Sequence, residues 1–204
     1  MRDTRAELLA QAEILVRGRG YSGFSYGDLA EAVSIRKASI HHHFRTKTDL
    51  ALALVEAYDA RYDAALAAIV AAQPDAIARI EAYGRHYLTG VEDGLGCLCA
   101  VLAIERDTLP DALRAELARF FDKHIAWLER VLAEGGADGS LRPGLDPAAT
   151  ARMVVATLEG ALMLERLLAG SAGFRLTLAA LCESLRPPRI GGPNALSSER
   201  GDTI

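Results

Sequence analysis

Apolar residues recur along most of this chain at intervals of three and four positions, the spacing of an α-helix that buries one face. In the first such segment, residues 2–19, the apolar stripe comprises Leu8, Leu9, Ala12, Leu15 and Val16. Gly and Pro divide the pattern into further predicted helices, which span residues 26–33, 37–44, 47–72, 74–90, 97–108, 111–134, 147–169 and 174–185. The pattern therefore predicts an all-α fold.

Capping residues mark the starts of two helices near the N-terminus. Ser25 is followed three residues later by Asp28, and Thr46 is followed in the same way by Asp49. Both pairs are acidic variants of the capping box. The apolar residues between them are spaced to pack two short helices together, which leaves a polar outer face formed by Lys37, Ser39, His41 and His42. Two short helices joined by a tight polar break predict a DNA-reading helix-turn-helix.

The run from Ala30 to Lys47, with its core Lys37-Ala38-Ser39-Ile40 and the three histidines that follow, resembles the N-terminal signature of TetR/AcrR-type transcriptional repressors. The resemblance covers about the first quarter of the chain. It implies an all-helical homodimer whose third helix enters the major groove of a palindromic operator. It also implies that the larger C-terminal part dimerises and binds a small-molecule effector, which releases the DNA.

The resemblance also assigns roles to individual residues of the helix-turn-helix. Base edges would be contacted by Lys37, Ala38 and Ser39, and phosphates by Tyr26, His41, His42 and Lys47. Ser25, at the helix start, and Arg36, an additional cation, complete the predicted set of DNA contacts. Two positions depart from the family pattern: Ser34 stands where a turn glycine is usual, and Arg36 where a small N-cap residue is common.

Charge is distributed unevenly along the chain, in agreement with a localised DNA contact. The net charge is −4, yet between residues 32 and 48 there are four basic residues, three histidines and no acid. Basic charge is therefore focused on the predicted reading element while the body is acidic. A solvated basic helix face is the competing interpretation of such a run.

Three consecutive histidines, His41, His42 and His43, raise the question of a metal site. Adjacent helical residues point about 100° apart, so these imidazoles cannot converge on one ion, and no metal is expected. Beside phosphates, histidines gain a proton more readily. We therefore predict that operator affinity rises as the pH falls from about 8 to 6.

An effector site is predicted from polar and aromatic residues placed on otherwise apolar helices of the C-terminal part. The candidates are Tyr83, His86, Tyr87, Phe120, His124, Trp127, Met153, Glu159 and Met163. Together they would line a mostly apolar pocket with a few hydrogen-bonding groups. For any one residue, a satisfied core position is the more common alternative.

Cys97 is a candidate sensor thiol. If it lies in the first turn after Gly96, the helix N-terminus would lower its pKa and favour reaction with oxidants or electrophiles. Cysteine as a small buried hydrophobe is the alternative. Cys97 and Cys99 are two residues apart and diverge by about 200° on a helix, so a disulfide between them is not expected.

These patterns divide the chain into a helix-turn-helix domain at residues 1–50, an effector-binding and dimerisation domain at 51–186, and a disordered tail at 187–204 rich in Pro, Gly and Ser. The chain lacks an apolar run of membrane-spanning length and a signal peptide, so a cytoplasmic protein is expected. No cofactor or catalytic motif is recognisable, which argues against a thiol enzyme using Cys97 and Cys99. Transcriptional activation, and a relative that contacts proteins instead of DNA, stay open as alternatives.

Overall fold

The computed structural model describes residues 3–168 and 170–188. That part of the chain contains nine α-helices, one short 3-10 helix at Arg106–Thr108 and no strand. In chain order the α-helices are α1 Thr4–Arg19, α2 Tyr26–Val33, α3 Lys37–His43, α4 Lys47–Ala72, α5 Ala76–Glu92, α6 Leu98–Ile104, α7 Asp111–Asp138, α8 Pro147–Leu168 and α9 Ser171–Leu185. The all-α fold predicted from the sequence is confirmed.

Helices α1 to α3 form the N-terminal helix-turn-helix unit. Both predicted capping boxes are present: the Ser25 hydroxyl accepts from the Asp28 backbone N–H at 3.3 Å, and the Ser25 backbone N–H donates to the Asp28 carboxylate at 2.7 Å. Thr46 and Asp49 pair in the same way at the start of α4. The turn between α2 and α3 passes through Ser34, whose φ of 57° is left-handed. Leu29, Val33 and Ile40 are buried between the helices.

Helix α4 continues from this unit into the body, which is built from α5 to α9. The body's most extensive contact is between α7 and α8, followed by those of α9 with α8 and with α5. Its core is largely leucine with several tyrosines; Tyr83 and Phe174 are among the largest fully buried side chains. None of the helices in the described residues combines the length and the apolar character needed to cross a membrane.

Two helices run past the glycines at which the sequence predicts them to end. Helix α7 continues through Gly135 to Asp138, because Gly135 packs so closely that a Cβ there would lie 2.4 Å from the Ala76 Cβ. The helix ends at Gly139, whose φ is 77°. Helix α5 continues past Gly90, where a Cβ would lie 2.9 Å from the Leu95 carbonyl oxygen. In both helices the glycine that was predicted to end the helix instead allows close packing against a neighbouring segment.

The other boundaries differ from the predicted ones by a few residues. The predicted helix at 97–108 is a shorter α6 followed by the 3-10 helix, and α9 begins three residues earlier than predicted. The predicted start of α1 at residue 2 lies outside the described residues, as does the predicted disordered tail except for residues 187 and 188. The division at residue 50 stays a prediction, since α4 runs through it without a break.

Candidate nucleic-acid interface and interior polar cluster

The outer face of α3 carries the residues predicted to touch DNA. Arg36, Lys37, Ala38, His41 and His42 are exposed, and Ser39 is half-buried. The single apolar anchor of the helix is Ile40, which is fully buried against the helix-turn-helix core. A short helix held by one inward residue thus presents almost all its polar side chains to solvent.

Several of these residues meet at one open surface cleft of about 350 Å³, whose walls come from α2, α3 and the start of α4. It is lined by Phe24, Ser25, Tyr26, Lys37, His41, Arg45, Thr46 and Lys47. Five of these were predicted DNA contacts. Arg45 also lines the cleft; it was not among the predicted contacts, although the basic run that contains it was recognised. The concentration of cations at this cleft suits an anionic partner such as phosphate.

Tyr26 lies in the floor of this cleft and is 7% exposed. Its hydroxyl donates to the Thr46 carbonyl oxygen at 2.6 Å and lies 3.1 Å from the Phe44 carbonyl oxygen. Burial, with Asp49 nearby, raises the pKa of Tyr26 to about 12, so the phenol remains a neutral donor. Tyr26 therefore holds the connection between α3 and α4, a structural role that the sequence did not indicate.

Lys47 and His41 also make contacts within the protein. The Lys47 ammonium donates to the Phe24 carbonyl oxygen and lies 4.2 Å from the centroid of the Phe24 ring. Burial lowers the pKa of Lys47. His41 Nδ1 is 3.1 Å from the Arg45 carbonyl oxygen, which orients its ring beside that of Tyr26. Both side chains are thereby held at the cleft.

A second group of predicted residues forms a buried aromatic cluster in the body. Tyr83, Tyr87, Phe120, His124 and Trp127 are each at most 6% exposed. The Tyr83 hydroxyl lies 3.0 Å from His124 Nδ1 and 3.2 Å from the Tyr87 hydroxyl. Burial lowers the pKa of His124 to about 4, so its ring is neutral near pH 7. His124 Nε2 is buried without a hydrogen-bond partner among the described residues.

Three of the predicted effector contacts lie away from this cluster. Met153 is 45% exposed. It lies six positions before Glu159 on α8, so the two side chains point about 120° apart. Met153 is not among the side chains that line the cleft beside Glu159, and its role as an effector contact stays a prediction. His86 is exposed and lines a separate surface pocket with Tyr62. Met163 is 55% exposed and borders a narrow cleft between α6 and α8.

Glu159 lies at the inner end of the cleft between α6 and α8. One carboxylate oxygen, Oε1, is buried without a hydrogen-bond partner among the described residues. Burial raises the pKa of Glu159 to about 7, although the nearby Cys97 thiol and Tyr87 hydroxyl favour the ionised form. Tyr87, whose hydroxyl lies near Glu159, is hydrogen-bonded to Tyr83, and Tyr83 to His124. A chain of neighbouring polar groups therefore joins Glu159 to His124.

Cys97 does not have the environment of an activated thiol. It occupies the N-cap position of α6 and is 4% exposed. Burial, together with the negative charge of Glu159, raises the pKa of Cys97 well above its usual range. The expectation that the helix terminus lowers this pKa is wrong, because desolvation outweighs the favourable helix end. Cys99 and Cys182 are also buried, and all three thiols are free.

Comparison with known families identifies relatives of both parts of the chain. Residues 8–54 match the family described as bacterial regulatory proteins, tetR family, and residues 76–181 match the tetracyclin repressor-like C-terminal domain. The transcriptional regulator AcuR of Cereibacter sphaeroides is 31% identical over 157 residues, which cover 73% of this chain and 70% of AcuR.

Solved structures with the same fold include other regulators. A TetR family transcriptional regulator from Agrobacterium tumefaciens superposes with a TM-score of 0.85 and 32% identity, covering 89% of this chain and 97% of that chain. The reduced form of Escherichia coli NemR, a transcriptional repressor, superposes with a TM-score of 0.79 and 26% identity, covering 93% and 100%.

Proposed function

Because the chain belongs to the TetR family of bacterial transcriptional regulators, we propose that it is a homodimeric repressor that binds a palindromic operator and is released by a small-molecule effector. The family consists of regulators and not enzymes, which removes the thiol-enzyme alternative. As a DNA-binding regulator it would act in the cytoplasm.

The single observation that carries this proposal is the exposed polar face of α3. Lys37 and Ala38 at its start, with Ser39 beside them, would reach base edges in the major groove, where side-chain hydrogen bonds distinguish base pairs. The other cations at the adjoining cleft, Arg45 and Lys47, would hold the phosphates on either side.

A homodimer is supported by apolar side chains left exposed near the C-terminus. Met163, Leu164, Leu167, Leu168 and Leu176 are between 55% and 84% exposed, on the second half of α8 and on α9. A contiguous apolar surface of this kind marks an interface. A second copy of the chain packed there would set two α3 helices at the spacing of operator half-sites, about 34 Å or a multiple of it.

Release by an effector would follow from a shift between two states of the dimer. In one state the two recognition helices match the half-sites; in the other, movement of α4 changes their separation. The effector must bind the second state more tightly, since a ligand with equal affinity for both shifts nothing.

The test is footprinting and fluorescence anisotropy of the full-length protein on the DNA flanking its own gene. We expect a protected palindrome, binding that weakens steeply with salt, and a dimeric mass by sedimentation. The double variant Lys37→Ala/Arg45→Ala should lose this binding, whereas Arg130→Ala, which removes one exposed cation from α7, should retain it.

Absence of a protected site, or a monomeric mass at micromolar concentration, would contradict the proposal. Transcript levels of the neighbouring genes in a deletion strain test the sign of regulation. A rise indicates repression, as proposed, and a fall indicates activation.

A further inference from the structure

We propose that the cleft between α6 and α8 binds a small organic cation, whose positive charge pairs with the carboxylate of Glu159. The inference rests on the proposed function, in that this cation would be the effector that releases the DNA.

Among the described residues, the carboxylate of Glu159 forms no ion pair, and its Oε1 atom is buried. Its Oε1 has no hydrogen-bond partner among the described residues. The groups that affect its protonation are neutral, the Cys97 thiol and the Tyr87 hydroxyl. Arg166 lines the same cleft, but its Nε donates to the Gly94 carbonyl oxygen at 3.0 Å. An unpaired buried charge is costly, and a ligand that brings the opposite charge removes that cost.

Three tyrosines, two buried and one half-buried, lie near this carboxylate, although none of them lines the cleft itself. After the larger effect of burial, the negative charge of Glu159 contributes to raising the pKa of Tyr62, Tyr83 and Tyr87. Phenol rings attract cations through their electron-rich faces. An unpaired carboxylate with phenol rings nearby therefore favours an ammonium group over an anion.

The cleft is small in this state of the protein. Its volume is about 30 Å³, enough for a water molecule, whereas sites for drug-sized ligands occupy about 300–1,000 Å³. Its walls are Ala100, Val101 and Ile104 from α6 and Leu162 and Met163 from α8. A ligand larger than water must move these walls apart, so binding would displace α6.

The titratable and charged groups that face Glu159 predict how binding depends on pH. They are Tyr62 from α4, Tyr83 and Tyr87 from α5, and Cys97 and Cys99 at α6, with Arg166 of α8 in the same cleft and His124 of α7 linked through Tyr83. Burial raises the pKa of all the tyrosines and cysteines in this set, so they stay neutral between pH 6 and 8.

Glu159 is thus the group that changes charge in this range. With a pKa of about 7, its ionised fraction rises about tenfold from pH 6 to pH 8. Because a cation binds the ionised form, its affinity should rise by about the same factor as the pH is raised.

Calorimetric titration of the full-length protein with three ring compounds of similar size tests this directly: benzylammonium, benzyl alcohol and benzoate. Ammonium and tetramethylammonium extend the series to smaller cations. We expect at least one cation to bind at pH 8 more tightly than the alcohol and the carboxylate, and about tenfold more weakly at pH 6. Glu159→Gln should abolish both the binding and its pH dependence, while Glu165→Gln, on the same helix about 240° away, should retain them.

Thermal melts of both variants establish that they are folded. The inference is overturned if no cation binds better than its neutral counterpart at pH 8, if affinity is independent of pH, or if Glu159→Gln binds as the parent does. Operator binding measured on the same samples separates the two claims. Intact DNA binding without cation binding contradicts only this inference, and cation binding without DNA binding contradicts the proposed function.

Discussion

Replacement of Tyr26 by phenylalanine distinguishes a structural tyrosine from a phosphate contact. The change removes only the hydroxyl, which bridges the carbonyl oxygens of Thr46 and Phe44 at the corner between α3 and α4. A lost hydrogen bond whose partner stays buried costs about 1–2 kcal/mol. For a chain of this length, that corresponds to a melting temperature lower by about 2–8 °C.

Operator affinity at 25 °C should be almost unchanged in this variant, because a protein stable by about 5–15 kcal/mol remains folded after such a loss. The assay pairs thermal unfolding with DNA titration at two salt concentrations. Tyr21→Phe is the matched control, since its hydroxyl has only a 3.5 Å contact with Thr48 Oγ1 and its loss should cost less than about 0.5 kcal/mol. An unchanged melting temperature together with a tenfold loss of operator affinity would show that the Tyr26 hydroxyl binds phosphate instead.

Three further predictions concern the helix-turn-helix. Lys37→Ala should make the free energy of binding to the operator less favourable by about 1–3 kcal/mol, and that to unrelated DNA by less. Arg45→Ala should weaken binding to operator and to unrelated DNA equally, and should reduce the slope of log affinity against log salt concentration by about one. Equal effects of the two variants on the two DNAs would refute this division between base and phosphate contacts. Operator affinity should rise from pH 8 to pH 6 at fixed salt, and a His41→Gln/His42→Gln variant should not respond; a flat profile for the parent would exclude histidine–phosphate contacts. Ser34→Gly should raise the free energy of unfolding by about 0–1 kcal/mol, measured by denaturant unfolding. Glycine adopts the left-handed conformation at this position without strain, and this gain should exceed the cost of the greater entropy of the unfolded chain. A lower free energy of unfolding would contradict this prediction.

Helix starts were predictable from the sequence because capping is a local interaction. Ser25 with Asp28 and Thr46 with Asp49 form the capping boxes from side chains only three residues apart. Helix ends were predicted less well, because the role of a glycine depends on distant neighbours. Gly135 looks like a stop in the sequence, yet it is helical and lies against Ala76 and Leu141. That packing cannot be recognised from residues near it in the chain.

The same distinction, between local interactions and contacts with residues distant in sequence, applies to the candidate sites. The exposed face of α3 follows from helical spacing alone, so the exposure of Lys37 and His41 could be predicted. The role of Tyr26 depends on a contact across 18 to 20 residues, which no local pattern reveals. Glu159 and Cys97 were both singled out, but for separate reasons. Their proximity, which adds to the larger effect of burial in raising the pKa of Cys97, comes from the packing of α6 on α8.

Helix α6 is attached to the N-terminal unit near both of its ends, in addition to the covalent connection through α4. Before its start, the Gly96 carbonyl oxygen accepts from Nε of Arg17 on α1 at 2.7 Å. After its end, the Glu105 carboxylate accepts from the Ser22 backbone N–H at 2.9 Å. A ligand that opens the cleft between α6 and α8 would therefore displace α1 directly, as well as acting through α4.

Arg17→Lys tests whether this attachment transmits the effector signal. The substitution keeps the positive charge near Glu13 but removes the guanidinium Nε–H that holds the Gly96 carbonyl. Operator affinity and ligand affinity, each measured alone, should change little. The ligand-induced loss of operator affinity should become smaller, because the coupling between the two sites depends on a physical connection between them. Arg61→Lys is the control, since Arg61 pairs with the same Glu13 carboxylate but, among the described residues, makes no hydrogen bond to the loop at Gly96. If Arg17→Lys releases DNA as fully as the parent does, the bond between Arg17 and Gly96 does not carry the signal, which then passes through α4 or through the contact of Glu105 with Ser22.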